Sequence, residues 1–278
     1  DYAELFDNDF YTYLRFRAGT ELRFHSDETV DGLYLVWDTF PGAWQLSSGG
    51  ETATYGEDGF LHEYVSLPVP STDFTIRMPV DAAMDLCDLY ALSEGLLPAW
   101  VQVWQPPCET ADILAVPTHA DDEYIFFGGI LPTYAAERGL EVQVVYMTSH
   151  YLGSERFRCH EKLNGLWTAG VRHYPVTNMV LDLYFDERED ASAYFGADNF
   201  TRFQVEQLRR FKPLVVVEHA EDGEYGHGAH KLNAWSMERA VALAADCGIT
   251  DIYPIMTWGG ASYYPSAVVE ESSVSKRL

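Results

Sequence analysis

The sequence is poor in basic residues. Its 278 residues include 18 Lys plus Arg against 43 Asp plus Glu, which gives a formal net charge of −25. A field of that sign repels phosphates, so it excludes nucleic acids and anionic membranes as partners held by bulk electrostatics. Long apolar runs are missing too. No stretch approaches the roughly 20 apolar residues of a transmembrane helix, so we expect no membrane span.

Cysteine is scarce. The four cysteines include no CxxC pair, which excludes zinc-knuckle and thioredoxin-type motifs. Cys87 and Cys108 could close a short loop in an export setting. The sequence starts at Asp1 rather than Met. We therefore expect a processed or trimmed chain, exported or at the surface of a bacterial-type cell, with a cytoplasmic location as the alternative.

The first part of the chain has a β-type pattern. Short alternating or apolar runs, such as residues 33–37, 74–78 and 100–104, are separated by turn residues such as Asp31-Gly32. This pattern predicts an antiparallel β-sandwich-like domain over residues 1–107. Aromatic residues make up 14% of the sequence, which suits either sugar stacking or core packing. The domain is thus a carbohydrate-binding module or a partner that shapes a cleft.

From residue 108 onward, strands and helices alternate. We predict buried strands at residues 113–116, 142–147 and 214–217, and helices at residues 126–138, 158–169, 200–211 and 231–245. This alternation predicts an α/β domain over residues 108–278 with a Rossmann-like, mostly parallel sheet.

Two polar clusters follow strands of the predicted sheet. One spans residues 118–123 and the other residues 218–230, and together they hold four His and seven carboxylates. Ligands of open α/β sheets bind beyond the carboxyl ends of the strands. We therefore expect both clusters at the functional edge of the sheet.

The spacing within the clusters suits a metal ion. His119 and Asp122 can face one ion, which leaves the adjacent Asp121 free to act as a base. His227 and His230 share a helix face, so one can complete the ligand set while the other serves as an acid or oxyanion partner. Three ligands and an open position suit catalytic zinc, and also Fe2+. The competing interpretations are a helix cap with acidic residues and an exposed loop.

A family resemblance rests on four motifs. They are His119-Ala120-Asp121-Asp122-Glu123, Gly128-Gly129, Arg158-Cys159-His160-Glu161 and Gly223-Glu224-Tyr225-Gly226-His227-Gly228-Ala229-His230. In this order they resemble the LmbE/PIG-L family of metal-dependent N-acetyl-sugar deacetylases, over about residues 111–245.

The resemblance implies a role for each matching residue. His119, Asp122 and His230 would bind Zn2+, with Fe2+ or another divalent ion as the alternative. Asp121 would be the general base, and His227 would stabilise the tetrahedral oxyanion and help to protonate the leaving amine. Arg158 matches a position near the substrate pocket. Tyr225 is a substrate candidate on other grounds, because its ring could stack on a sugar or else simply pack. The alternative for Arg158 is a surface ion pair with Glu161.

The sequence departs from the family pattern at two positions. Ala120 replaces a usual Pro, which changes only loop stiffness. Ala229 replaces a frequent Asp, so the carboxylate that would orient a histidine is missing there. We expect Glu221, Asp222 or Asp121 to serve instead.

Other pocket residues are open to two interpretations. His150 and His219 follow strands and either line the pocket or pack in loops. Trp258, Tyr263 and Tyr264, with residues 257–260 as a pocket wall, either stack on a sugar or pack.

The sequence thus predicts a zinc-dependent hydrolase that removes acetyl from an N-acetylated amino sugar or glycoconjugate. A neutral glycan would enter so acidic a cleft more readily than an anionic one. One alternative is an amidase of the same fold that acts on another acylated amine. The other is a catalytically silent glycan-binding protein, which would have no need of Asp121. The sequence does not indicate a protein partner.

Overall fold

The computed structural model describes residues 2–247, 251–255 and 276–277. The chain divides into two compact units. The first comprises Asp1–Pro106 with Leu163–Trp167, and the second comprises Pro107–Lys162 with the chain from Thr168 onward.

The first unit contains an antiparallel sheet with the strand order β1-β6-β2-β5-β3-β4. Its strands are β1 (Leu14–Phe16), β2 (Glu21–Trp37), β3 (Trp44–Ser48), β4 (Glu51–Tyr55), β5 (His62–Arg77) and β6 (Met84–Leu92). Among the residues described, these six strands form one sheet, so the predicted sandwich is not confirmed.

Two local predictions for this unit are wrong. Asp31-Gly32, predicted as a turn, lies inside β2, where the register with β5 shifts between Val30 and Gly32. A bulge lets a long strand absorb turn-type residues without ending. Residues 100–104 form no strand, although Val101 and Trp104 are buried.

A buried carboxylate lies in the core of this sheet. Glu63 Oε2 accepts from the indole nitrogens of Trp37 and Trp44, at 3.2 and 3.0 Å, and Oε1 accepts from Gly56 N at 2.8 Å. Burial raises the pKa of Glu63 despite these donors. The three N–H groups supply the hydrogen bonds that a buried carboxylate requires.

The second unit contains a mostly parallel sheet with the order β12-β11-β10-β7-β8-β9. Its strands are β7 (Ile113–Ala115), β8 (Val142–Tyr146), β9 (Val176–Thr177), β10 (Val215–His219), β11 (Asp251–Ile255) and β12 (Lys276–Arg277), and β12 alone pairs antiparallel. Its helices are α1 (Asp122–Ile125), the start of α2 (Phe157–Thr168), α3 (Arg188–Ala191), α4 (Ala197–Phe211) and α5 (Gly228–Leu243), with π-helical segments at Leu131–Glu137 and Ser192–Gly196. Residues Leu163–Trp167 of α2 belong to the first unit. The predicted α/β architecture with a parallel sheet is confirmed.

Apolar residues hold the sheet and the helices of this unit together. Every residue of β7 and β8 is buried, as expected for strands covered on both faces. Phe200 and Phe211 of α4 and Leu232 of α5 share one core cluster with Leu114 of β7. The packing of α5 on this core fixes the polar residues at its start.

The predicted helix over residues 126–138 is confirmed only in its second part, as a π-helical segment over Leu131–Glu137. Helix α1 ends at Ile125, and the π-helical segment begins at Leu131. Gly128 lies between them, at a place where a Cβ would collide with the carbonyl oxygen of Tyr124. The close backbone approach that breaks the helix therefore requires glycine.

Two further observations concern expectations from composition. Cys87, Cys108 and Cys159 are buried thiols, so the disulfide considered between Cys87 and Cys108 does not form. Within the part of the chain that is described, no helix has the length and apolarity needed to cross a membrane.

Candidate metal centre

The site lies where the strand order of the parallel sheet reverses. Strand β7 pairs with β8 on one side and with β10 on the other. The loop after β7 carries His119, and the loop after β10 leads to His230 in the first turn of α5. Such a switch point opens a crevice at the carboxyl ends of the strands. The fold therefore brings both polar clusters to one place.

The three predicted metal ligands converge there. His119 Nδ1 lies 3.0 Å from His230 Nε2 and 3.2 Å from Asp122 Oδ2, and His230 Nε2 lies 3.3 Å from Asp122 Oδ1. The side chains of His119, His230 and Asp122 are 11%, 0% and 2% exposed. Two imidazole nitrogens and a carboxylate oxygen thus face one another in a buried space.

Polar groups lie behind each of these side chains. Asp122 Oδ2 accepts from His119 N at 2.7 Å and from Thr118 N at 3.1 Å. His230 Nδ1 lies 2.8 Å from Glu224 Oε2. His119 Nε2 lies 3.6 Å from Asp182 Oδ1. The donor set and its orientation fit a divalent ion of the Zn2+ or Fe2+ type.

Glu224 supplies the carboxylate that Ala229 cannot, so our expectation of Glu221, Asp222 or Asp121 in this role is wrong. Glu221 and Asp222 are exposed, whereas Glu224 is 2% exposed. Ala229 lies in the apolar core cluster, where a carboxylate would be desolvated. Glu224 belongs to the motif that carries the family resemblance, but nothing in its sequence context indicated this role.

His219 completes a buried charged pair with Glu224. Its Nδ1 lies 2.5 Å from Glu224 Oε2, and its Nε2 lies 3.2 Å from Asp122 Oδ2. Burial opposes both charges, but the opposite charges outweigh it. The pKa of His219 is raised to about 10 by Glu224 and Asp122, and the pKa of Glu224 is lowered to about 2, mainly by His219. Of the two interpretations of His219, the structure supports a place beside the site.

Asp121 occupies a strained backbone position beside the ligands. Its φ is +148°, in a region that residues other than glycine avoid. Arg158 Nη2 donates to Asp121 Oδ2 at 2.9 Å and to Ala120 O at 2.8 Å. Burial and the neighbouring Asp122 raise the pKa of Asp121, and Arg158 opposes this shift. Arg158 thus contacts the predicted base itself, rather than only the helix surface beside Glu161.

His227 forms the N-cap of α5 and lies against the ligands. Its Nδ1 accepts from Ala229 N at 3.2 Å. Its ring stacks on that of His230, with centroids 4.5 Å apart, and lies 4.6 Å from that of His119. Burial and the two neighbouring histidines lower the pKa of His227 to about 3. Because Nδ1 is an acceptor, the proton of the neutral ring is on Nε2.

Two tyrosine rings lie against His227. Tyr225 is 48% exposed, and its ring lies 5.7 Å from that of His227. Tyr184, which the sequence did not indicate, packs edge-on against His227 at 4.5 Å. Asp182 was also missed, and it lies 3.1 Å from the Nε2 of His150. Both stand in the segment after β9, which carries no motif.

The predictions for residues 257–260, Trp258, Tyr263 and Tyr264 concern positions outside the described residues.

Comparison with known proteins finds a family model that matches part of the second unit. Residues 114–241 match the family model described as PIG-L, GlcNAc-PI de-N-acetylase. A 1D-myo-inositol 2-acetamido-2-deoxy-alpha-D-glucopyranoside deacetylase from Saccharopolyspora erythraea is 30% identical over 175 residues, which are 50% of this chain and 55% of that protein. A protein of the same name from Catenulispora acidiphila is 27% identical over 189 residues, 59% of this chain and 58% of its own. The chain thus spans little more than half the length of these relatives.

A solved structure is also similar. A conserved protein from Thermus thermophilus, TT1542, aligns with a TM-score of 0.41 and 22% identity, over 56% of this chain and 70% of its own. The family match covers both polar clusters and Arg158, and so includes every predicted ligand. The resemblance to the PIG-L family seen in the sequence is thus confirmed over residues 114–241.

Proposed function

We propose that this protein is a zinc-dependent N-deacetylase that hydrolyses the acetamide of an N-acetylated amino sugar or glycoconjugate. The observation that carries the proposal is the convergence of His119, Asp122 and His230, with Asp121 and His227 beside them. The names of the two relatives support an acetamido sugar as the substrate class.

His119, Asp122 and His230 would hold the ion. When bound, a zinc ion supplies Lewis acidity, which lowers the pKa of water and polarises the acyl carbonyl. The raised pKa of Asp121 brings its basicity closer to that needed at neutral pH. Asp121 accepts a proton from the attacking water as the water oxygen bonds to the acyl carbon. Arg158 holds the carboxylate in place during this transfer.

The neutral His227 serves the other side of the reaction. Its Nε2–H donates to the oxyanion that forms when the carbonyl oxygen takes the electron pair. The C–N bond then breaks, and the nitrogen takes up the proton that Asp121 removed from water. The products are acetate and a free amine. Arg158 and Tyr225 remain our proposed substrate contacts.

A screen for acetate release tests this function. The full chain is assayed with zinc, and with chelator, on neutral N-acetyl sugars and on other acylated amines. Asp121→Asn should keep its metal but lose about 10²–10⁴-fold in kcat. His119→Ala and His230→Ala should lose the metal by elemental analysis. Turnover only of non-sugar amides would favour the amidase alternative, and sugar binding without acetate release would favour the silent binder.

We also propose that the first unit binds a neutral sugar, because it contains a cavity of suitable composition. The cavity measures about 410 Å3, within the usual range for ligand pockets. Its lining includes aromatic side chains and carboxylates, namely Tyr55, Phe60, Tyr64, Trp104, Asp58 and Glu63. Aromatic rings suit the C–H face of a pyranose, and carboxylates accept hydrogen bonds from its hydroxyl groups.

Calorimetry with N-acetylchitotriose tests the cavity apart from catalysis, in the Asp121→Asn background. Tyr64→Ala should weaken binding several-fold. Tyr13→Ala, a matched change at an exposed tyrosine outside the cavity lining, should leave it unchanged. Equal affinities in the two variants would reject a sugar site here.

A further inference from the structure

We infer that Glu224 is the positioning residue of the metal centre, and that it acts on two ligands at once through His230 and His219. The inference rests on the proposed function, because it assigns a role toward the metal ion. Glu224 stands in a short turn of 3₁₀ helix (Glu224–Gly226) before α5 and is buried.

The first action of Glu224 sets the tautomer of His230. Its Oε2 lies 2.8 Å from His230 Nδ1. A carboxylate only accepts hydrogen bonds, and a lone pair on Nδ1 would be repelled at this distance, so Nδ1 carries the proton. The lone pair of the neutral ring is then on Nε2, the atom that faces His119 Nδ1 and Asp122 Oδ1. Glu224 therefore presents His230 in its metal-binding form.

The second action reaches Asp122 through His219. The same Oε2 hydrogen-bonds His219 Nδ1 at 2.5 Å, and His219 Nε2 lies 3.2 Å from Asp122 Oδ2. The rings of His219 and His230 stack with centroids 4.0 Å apart and an interplanar angle of 14°. One buried carboxylate thus fixes a ligand histidine directly and a ligand carboxylate through a second histidine.

The backbone around Glu224 is shaped to aim it inward. Gly223, Tyr225 and Gly226 all have positive φ, at +65°, +45° and +79°. A Cβ at Gly223 would lie 2.8 Å from His227 O. Oε1 of Glu224 accepts from Ala220 N at 3.2 Å, which ties the carboxylate to the end of β10. This turn places the carboxylate behind His230, while position 229 faces the apolar core.

Metal binding by the full chain tests the inference. Glu224→Gln keeps the side-chain size, but its amide can accept from only one histidine with its oxygen, and Glu224→Ala removes both contacts. The metal-stripped proteins are titrated with Zn2+ against a chromophoric chelator. Loss of such an outer contact costs roughly 10–100-fold in metal affinity, so we expect the Kd to rise by that factor. Asp222→Asn, an exposed change in the same loop, should match the wild type.

The visible spectrum of the Co2+ form gives a second readout, which a general loss of stability would not alter. Glu224→Gln should change the band intensities, because the ligand geometry relaxes, while the metal-free Tm confirms that the variant is folded. Wild-type affinity and an unchanged Co2+ spectrum in Glu224→Gln would overturn the inference and leave the proposed function standing. A wild-type chain that binds neither ion would overturn both.

Discussion

The role of His227 can be separated from its structural contribution by one substitution, His227→Asn. The ring has one observed contact and one proposed role: Nδ1 caps α5 by accepting from Ala229 N, and Nε2–H would donate to the oxyanion. Asparagine is among the best N-cap residues. Its shorter side chain can replace Nδ1 as the cap but carries no donor where Nε2 lies. His227→Asn should therefore preserve the helix and lose the catalytic donor.

Loss of the oxyanion donor and loss of the helix cap should have effects of different size. Removing one oxyanion donor costs about 10²–10³-fold in kcat, or roughly 2.7–4 kcal/mol of transition-state stabilisation. Because the contact forms only with the oxyanion, kcat and kcat/KM should fall together. Loss of the cap in His227→Ala should lower the free energy of unfolding by about 0.5–2 kcal/mol. With asparagine as the cap, that free energy should stay close to the wild-type value.

Three measurements decide the outcome: acetate release, thermal unfolding, and metal content by elemental analysis. His227 also belongs to a three-histidine group with His119 and His230 that could itself hold an ion. If His227→Asn loses the metal, His227 is a ligand and our assignment is wrong. If it keeps both metal and turnover, the oxyanion role is refuted. With its pKa lowered to about 3, His227 should contribute no limb to the pH–rate profile at neutral pH.

Three further predictions follow from the same geometry. Arg158→Gln removes the cation that lowers the pKa of Asp121, so the acid limb of kcat/KM should move to higher pH; Arg158→Lys should move it less. The metal-free protein should lose stability, seen as a falling Tm, as pH rises from about 6.5 to 10 and His219 loses its proton. The same should occur as pH falls from about 4.5 to 2 and Glu224 is protonated. Gly228→Ala should lower the free energy of unfolding by about 1–3 kcal/mol through overpacking, because its Cβ would meet the backbone of Glu187. The loss should be seen as a lower Tm, and a wild-type Tm would contradict this.

The meeting of the two polar clusters could be predicted because it depends on local spacing and on one rule of topology, whereas only the family resemblance distinguished His230 from His227 as a ligand. His119 and Asp122 stand at a strand-to-helix turn, and His230 follows another strand of the same parallel sheet. Strand ends of such a sheet meet at one edge. The partners behind the ligands could not be predicted in this way. The place of Glu224 depends on a turn with positive φ at Tyr225, and no pattern in the sequence indicates that conformation at a tyrosine.

In the first unit, two local sequence patterns led to wrong predictions. Residues 100–104 alternate in the manner of a strand, and Asp31-Gly32 is typical of a hairpin turn. The structure uses the first segment as a loop with three buried side chains, and it places the second inside β2 at a register shift. Tertiary pairing decided both cases, because β2 finds partners in β5 and β6 on its two sides.

The separation of the ligands along the chain links metal binding to folding. His119 and His230 are 111 residues apart, so an unfolded chain cannot present both to one ion in a fixed geometry. The free energy of binding is then gained only in the native state. A ligand at 100 times its Kd stabilises such a state by about 2.7 kcal/mol. The metal concentration around the protein would thus change the free energy of unfolding, and not only the occupancy of the site.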